Sequence, residues 1–162
     1  MKRLILLITV FCLVSAQSFA ANCYTPDQYR AEQAIRYHTN LMVFGLYCKA
    51  VMRQDTYGPY QSFTARNQNV IRKEENTLIS YYKQTKTPAP ERKFHSLRTD
   101  LANKTSLQAS KSIISFCKQY QSDYSRAKSM KPSDFERWID QINVKQAKPT
   151  TRSVCTAAKS GK

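Results

Sequence analysis

Apolar residues recur every three or four positions over most of the 162-residue chain, and this spacing predicts α-helices. The first apolar stripe follows Thr25-Pro26-Asp27-Gln28, which has the composition of a capping box with proline at the first helical position. Gly58-Pro59 cannot continue the pattern, so we expect the first helix to end near Asp55. The stripe consists of Ala31, Ala34, Ile35, His38, Leu41, Met42, Gly45, Cys48 and Met52.

The same spacing predicts three further helices. The second runs from about Tyr60 to Lys83 and ends before the two prolines of TKTPAP. The third runs from about Glu91 to Ala127, and its middle is rich in Ser, Thr and Asn, which favours a kink or break there. The fourth is short, from about Pro132 to Asn143. Alternation typical of strands does not extend beyond a few residues. The chain is therefore predicted to be an all-α, single-domain helical bundle of three long helices and a short fourth.

The first twenty residues have the composition of a secretory signal peptide. Lys2 and Arg3 precede an apolar run that is too short to span a membrane, and Ser18-Phe19-Ala20 fits the rule for cleavage after its last residue. An uncleaved N-terminal anchor is the alternative. We expect residues 21–143 to form the bundle and residues 144–162 to form a basic C-terminal tail. The mature protein is then periplasmic or secreted and has no transmembrane segment.

The cysteines predict two disulfides. Cys12 falls inside the predicted signal peptide, and the four that remain are an even number, as is typical of an exported protein. No CxxC motif is present, and the spacings are too wide for a typical four-thiolate zinc site. In an up-down-up bundle the first and third helices run parallel, so Cys48 and Cys117 lie near one end and Cys23 near the other. The predicted pairs are Cys48 with Cys117 and Cys23 with Cys155, which ties down the tail.

The run from Ala31 to Cys48, AEQAIRYHTNLMVFGLYC, resembles the first helix of a family of small exported helical proteins of alphaproteobacteria. In that family the pattern AEQxxRxHTxLMVxGLxC follows an early cysteine. The family is uncharacterised, so the resemblance implies a bacterial, periplasmic protein with a conserved first helix, and it implies no activity and no catalytic residue. The matching residues are Ala31, Glu32, Gln33, Arg36, His38, Thr39, Leu41, Met42, Val43, Gly45, Leu46 and Cys48.

His38 and Gly45 are the candidate functional residues of the first helix. Because His38 lies on the apolar stripe, we interpret it as a core histidine that hydrogen-bonds to a Tyr or Asn of a neighbouring helix. A buried general base or metal ligand is the alternative. A metal site would also need His95 and a carboxylate such as that of Glu32. Gly45 is interpreted as a point of close helix packing, with ligand access as the alternative.

The chain is strongly basic. Its formal net charge is +15, with 26 Lys and Arg against 11 Asp and Glu, and removal of Lys2 and Arg3 lowers that charge by two. Such an excess favours an anionic partner. The basic residues cluster at the turn between the third and fourth helices and in the tail. The predicted binding residues are Arg126, Lys128, Lys131, Lys145, Lys148 and Arg152.

These patterns predict a non-catalytic envelope protein, binding or structural, with a basic surface that contacts an anionic partner. Paired acids typical of a glycosidase are missing from the sequence, and so are GxSxG, SxxK and P-loop motifs. We therefore predict no enzyme, no cofactor and no metal. Three alternatives stay open: an inhibitor or adaptor of an acidic protein, a nucleic-acid binder that stacks bases on tyrosines, and an enzyme that uses His38. No oligomeric state is predicted.

Overall fold

The computed structural model describes residues 23–146 and 149–155. Within these ranges it contains seven α-helices, a 3₁₀ turn at Val144–Gln146 and no strand, which confirms the all-α class. The predicted signal peptide and Lys148 of the tail lie outside the described residues. The helices are α1 (Pro26–Tyr47), α2 (Lys49–Met52), α3 (Tyr57–Arg66), α4 (Gln68–Gln84), α5 (Pro90–Lys111), α6 (Ile113–Ser129) and α7 (Pro132–Asp140).

The predicted capping box at the start of α1 is confirmed. The backbone N–H of Gln28 donates to Thr25 Oγ1 at 3.3 Å, and the backbone N–H of Thr25 donates to Gln28 Oε1 at 2.9 Å. Pro26 occupies the first helical position, where the helix needs no backbone donor. The local sequence is therefore sufficient to begin α1.

The prediction that the first helix reaches Asp55 is wrong, because α1 ends at Tyr47. The short helix α2 follows and ends at Met52, and its C-cap is Arg53, whose φ of 51° lies in the left-handed region. The chain then folds back toward α1. There the hydroxyl of Thr56 donates to the carbonyl oxygen of Gly45 at 2.8 Å, which fastens the returning segment to the last turns of α1.

Gly45 is a point of close packing, as its position in the sequence predicted. A Cβ atom at this residue would lie 3.1 Å from the carbonyl oxygen of Thr56 and 3.2 Å from the Cα of Tyr57. Both are backbone atoms, which cannot move aside cheaply. The neighbour is the segment entering α3, rather than the side of a long helix.

The predicted second helix is divided into α3 and α4 at Asn67. The buried side-chain amide of Asn67 donates to the carbonyl oxygens of Phe63, at 2.9 Å, and Met130, at 3.3 Å. The second of these bonds connects the break to the linker between α6 and α7. The first turn of α3 includes Gly58-Pro59, so this helix also begins earlier than predicted.

The predicted third helix is divided into α5 and α6, because the chain reverses at Ser112, the last residue of the Ser-, Thr- and Asn-rich stretch where a kink or break was expected. Ser112 has an extended backbone, and its side chain accepts a hydrogen bond from the N–H of Ser115, which begins α6. The hydroxyl of Tyr120 lies 3.4 Å from Oε1 of Gln108. A continuous helix would separate these two residues by about 18 Å. Helix α6 therefore runs back alongside α5.

Both predicted disulfides are confirmed. Cys48 pairs with Cys117 at a Cα–Cα distance of 5.7 Å, and Cys23 pairs with Cys155 at 5.0 Å. The predicted route to the first pair was wrong, however. Cys117 lies near the start of α6, just beyond the reversal, instead of deep in a continuous helix. It reaches the Cys48 end of α1 because α5 and α1 are both 22 residues long and run in the same direction.

Helix α1 is the centre of the structure and contacts each of the other six helices. Its buried residues lie on all sides, so the single apolar stripe of the sequence corresponds to only part of its packing surface. Aromatic rings fill the space around it, with Phe44 stacked on Tyr124 at 4.4 Å between centroids and Tyr37 against Trp138 at 4.7 Å. The buried residues of α1 are Tyr29, Ala31, Glu32, Ala34, Ile35, Tyr37, His38, Thr39, Leu41, Val43, Phe44 and Gly45.

Candidate functional site

His38 is a core histidine, as predicted, and only 3% of it is exposed. Its Nε2 atom lies 2.9 Å from Oγ1 of Thr64, and Thr64 in turn donates its hydroxyl proton to the carbonyl oxygen of Tyr60 at 3.0 Å. Since a hydroxyl has one proton, Nε2 of His38 must be the donor in the first bond. The partner is therefore a threonine, and the prediction of Tyr or Asn was wrong. Tyr60 instead stacks on the imidazole at 5.3 Å.

The environment keeps the imidazole of His38 neutral. Burial, and after it the positive charge of Arg98, lower its pKa from 6.5 to about 4. The Nδ1 atom is buried as well, and within the described part of the chain no group donates a hydrogen bond to it. His38 therefore acts as a neutral hydrogen-bond donor that connects α1 to α3.

A cavity of about 160 Å³ adjoins His38. Among the described residues that line it, Arg98 alone is charged, and it donates to Glu75 at 2.7 Å. The other two members of the metal site considered above lie elsewhere, since Glu32 is bound by other residues and His95 is exposed on α5. Among the described residues, no three His, Cys, Asp or Glu side chains are grouped to hold a metal ion.

We expect His38 to make the protein less stable in acid. The unfolded state binds a proton at this residue near pH 6.5, whereas the native ring stays neutral down to about pH 4. Lowering the pH through this range therefore favours the unfolded state, by about 3 kcal/mol in total. His38→Gln is expected to remove this part of the slope. Urea denaturation at a series of pH values between 7 and 4 measures it.

His95→Gln is the matched control, because it removes the other histidine from an exposed position. Its free energy of unfolding is expected to follow the wild-type pH profile. Parallel profiles for the wild type and His38→Gln would contradict the assignment.

Glu32 is a fully buried carboxylate on α1. It accepts hydrogen bonds from Nε and Nη2 of Arg36, at 2.7 and 2.6 Å. It also accepts from the backbone N–H of Thr151 at 3.0 Å and from the hydroxyl of the same residue. Cys155 and Tyr24 extend this attachment through a backbone hydrogen bond of 2.8 Å. Glu32 therefore fastens the C-terminal segment, residues 149–155, to the central helix.

Three of the predicted basic residues lie together where α6 meets α7. Arg126 and Lys128 occupy the last turn of α6, and Lys131 is the N-cap of α7. The packing of α7 beside α6 brings Arg137 to the same place, and the pattern of charges in the sequence did not indicate this residue. We call these four residues the basic corner. Arg66 supports it by donating to the carbonyl oxygens of residues 127 and 128, at 3.1 and 2.8 Å.

The basic corner contains a groove of about 280 Å³. Arg126 and Arg137 both line it, next to Trp138. Each arginine has one long ion-pair contact, 3.7 Å to Asp123 and 3.6 Å to Asp134, and all four side chains are partly exposed. Exposed pairs of this kind contribute little. The guanidinium groups therefore keep most of their donors available to a partner. The remaining lining residues are Ser129, Met130, Asp134 and Gln141.

The other predicted basic residues are not part of this groove. Lys145 is exposed on the 3₁₀ turn, and its backbone N–H donates to Oδ1 of Asn143 at 3.0 Å. Arg152 lies in the C-terminal segment, where its positive charge offsets part of the rise that burial causes in the pKa of Tyr82 on α4. Lys148 lies outside the described residues. The structure thus divides the predicted basic surface, and its α6–α7 part adjoins the groove described above.

The fold and its surface define the chain as a basic, all-α protein with two disulfides. Comparison with models of protein families, with curated proteins and with solved structures gave no match. None of the helices described above is both long and apolar enough to cross a membrane. The resemblance of α1 to an alphaproteobacterial family therefore stays a prediction.

Proposed function

We propose that this protein is a non-catalytic binding protein of the bacterial cell envelope that contacts an anionic partner through the basic corner. The observation that carries the proposal is the position of Arg126 and Arg137 on one groove beside an indole ring. Lys128 and Lys131 add two exposed charges next to it. Arginine and tryptophan are enriched where proteins bind partners, because they combine charge or polarity with a large contact area.

A location outside the cytoplasm is part of the proposal. Two disulfides support it, since such bonds persist in oxidising compartments. The predicted signal peptide, residues 1–20, supplies the route of export. The other helices pack around α1, which supports the proposal that the exported protein folds as a single domain.

Binding to anionic vesicles tests the proposal, with neutral vesicles, lipopolysaccharide and duplex DNA as further arms. The mature protein is expected to bind the anionic vesicles at low salt, to bind them much less at physiological salt, and to leave neutral vesicles unbound. The double variant Arg126→Gln with Arg137→Gln is expected to weaken binding about thirty-fold, at about 1 kcal/mol for each charge near the surface.

Arg92→Gln with Lys93→Gln is the matched control, because it removes two exposed charges from the start of α5. If the control weakens binding as much as the corner variant does, binding depends on the total charge of the protein and not on the basic corner. Equal binding to neutral vesicles would overturn the proposal. Binding to DNA alone would favour the nucleic-acid alternative.

A further inference from the structure

A second cleft lies between α1, α5 and α6, and it shares only Trp138 with the described lining of the corner groove. It exists because the chain reverses at Ser112, so that α5 and α6 form two walls over a floor provided by α1. Its volume is about 540 Å³, which is within the usual range for small-ligand sites. The lining residues are Gln33, Arg36, Tyr37, Asn40, Leu101, Lys104, Thr105, Gln108, Gln119, Tyr120, Asp123, Trp138 and Pro149.

The amide side chains of the cleft are oriented so that they offer donors. The hydroxyl of Thr105 donates to Oδ1 of Asn40 at 2.9 Å, and that of Tyr120 donates to Oε1 of Gln108 at 3.4 Å. Both carbonyl oxygens are thereby engaged, and the NH₂ groups retain their protons for a ligand. The Nε2 atom of Gln33 is buried and has no hydrogen-bond partner within the described residues. A ligand of this cleft must therefore be rich in acceptor oxygens.

Lys104 offers the cleft a positive charge for an anionic group. Arg36 is paired with the buried carboxylate of Glu32, whereas Asp123 on α6 makes a long, exposed contact of 3.7 Å with Arg126 and keeps its negative charge. Lys104 is exposed on α5 and forms no ion pair within the described part of the chain. Among the described residues of the lining, its ammonium group is thus the positive charge without an ion-pair partner, and it would bind a carboxylate held on the α5 side of the cleft.

Aromatic rings complete the lining. Tyr37, Tyr120 and Trp138 contribute to the same cleft as the amide and ammonium donors. Aromatic faces pack well against the C–H faces of a sugar ring, while amide donors suit its hydroxyl oxygens. Apolar rings and many oriented donors in one site match a hydroxylated ring better than they match a fatty acid or a bare inorganic anion.

We propose that this cleft binds a sugar acid, a hydroxylated ring that bears a carboxylate. Its carboxylate pairs with Lys104, its hydroxyl oxygens accept from the amides of Asn40 and Gln108, and one face of the ring packs on Trp138. Trp138 lines both this cleft and the corner groove, but Lys104 and Gln108 line the cleft and not the groove, so variants of these residues distinguish the two sites.

Titration of the mature protein with D-glucuronate tests the proposal. Binding is monitored by the fluorescence of the chain's single tryptophan and by the side-chain NH₂ signals in ¹H–¹⁵N spectra. We expect saturable binding with a dissociation constant on the order of 1 mM, as suits a ligand of this size. D-glucose lacks the carboxylate and acetate lacks the hydroxylated ring, so each is expected to bind at least ten times more weakly.

Lys104→Gln is expected to weaken glucuronate binding at least tenfold. Lys111→Gln is the matched control, since it removes the same charge from an exposed position two turns further along α5. Thermal unfolding of both variants checks that they fold. Equal loss in both variants, equal binding of glucose, or no change in the signals of Asn40 and Gln108 would each overturn the proposal.

Discussion

Glu32→Gln is expected to lower the free energy of unfolding by about 3 kcal/mol, because it removes one partner of a buried ion pair. The substitution keeps the shape of the side chain but removes the charge that Arg36 and Thr151 contact. Since 25% of the Arg36 side chain is exposed, water can relieve part of the penalty, and the loss falls at the low end of the range for such pairs. Guanidinium denaturation with disulfides intact measures it.

Glu91→Gln is the matched control for this change. Glu91 also pairs with a basic side chain, Lys83 at 3.0 Å, but both members of that pair are more than half exposed. The control is therefore expected to leave stability close to that of the wild type. Hydrogen exchange adds a local measure, because the amide of Thr151 should lose protection in Glu32→Gln only. Equal losses of stability in the two variants would show that burial of Glu32 has no special effect.

Replacing Cys48 and Cys117 together with Ala is expected to destabilise the protein by about 4 kcal/mol. The bond closes a loop of 69 residues, and opening it gives the unfolded chain more conformations. Both sulfur atoms are fully buried, and alanine leaves only a small void between α1 and α6. Denaturant unfolding of the double variant, compared with the oxidised wild type, measures the loss.

Two observations check this second prediction. Ser110→Ala lies at the exposed end of α5 near the reversal and is expected to leave stability within about 0.5 kcal/mol of the wild type. A non-reducing peptide map should join Cys48 to Cys117. A map that joins Cys23 to Cys48 would contradict the described topology, and a loss below 1 kcal/mol would contradict the role of the bond.

The sequence predicted those parts of the fold that depend on neighbouring residues or on cysteine chemistry. The capping box at Thr25 and Gln28 needs only four residues, and two disulfides follow from an even cysteine count, although the helix lengths that led to the Cys48–Cys117 pair were wrong. The composition before Ser112 indicated a kink or break, but the full reversal there also depends on the packing of α6 against α1. The break at Asn67 was not predicted, because its side chain contacts the linker after α6, which lies far away in the sequence.

The candidate site likewise contains residues that the sequence indicated and residues that only the fold brings together. Charge alone indicated Arg126, Lys128 and Lys131 as part of the basic surface, and that function stays a proposal. Arg137 and Trp138 join Arg126 only through the docking of α7, which no local pattern reveals. Glu32 was considered as a metal ligand, whereas its carboxylate is occupied by Arg36 and Thr151. One signal of this role was present in the sequence, which was the position of the charged Glu32 between Ala31 and Ala34, two residues of the apolar stripe.

The bond between Cys23 and Cys155 also determines how the protein responds to mechanical force. It joins residues 132 positions apart, so all seven described helices lie inside the covalent loop that it closes. A pull on the chain outside these two cysteines is transmitted through the sulfur–sulfur bond and bypasses the helix packing. Unless that bond is reduced, the helical core is shielded from tension.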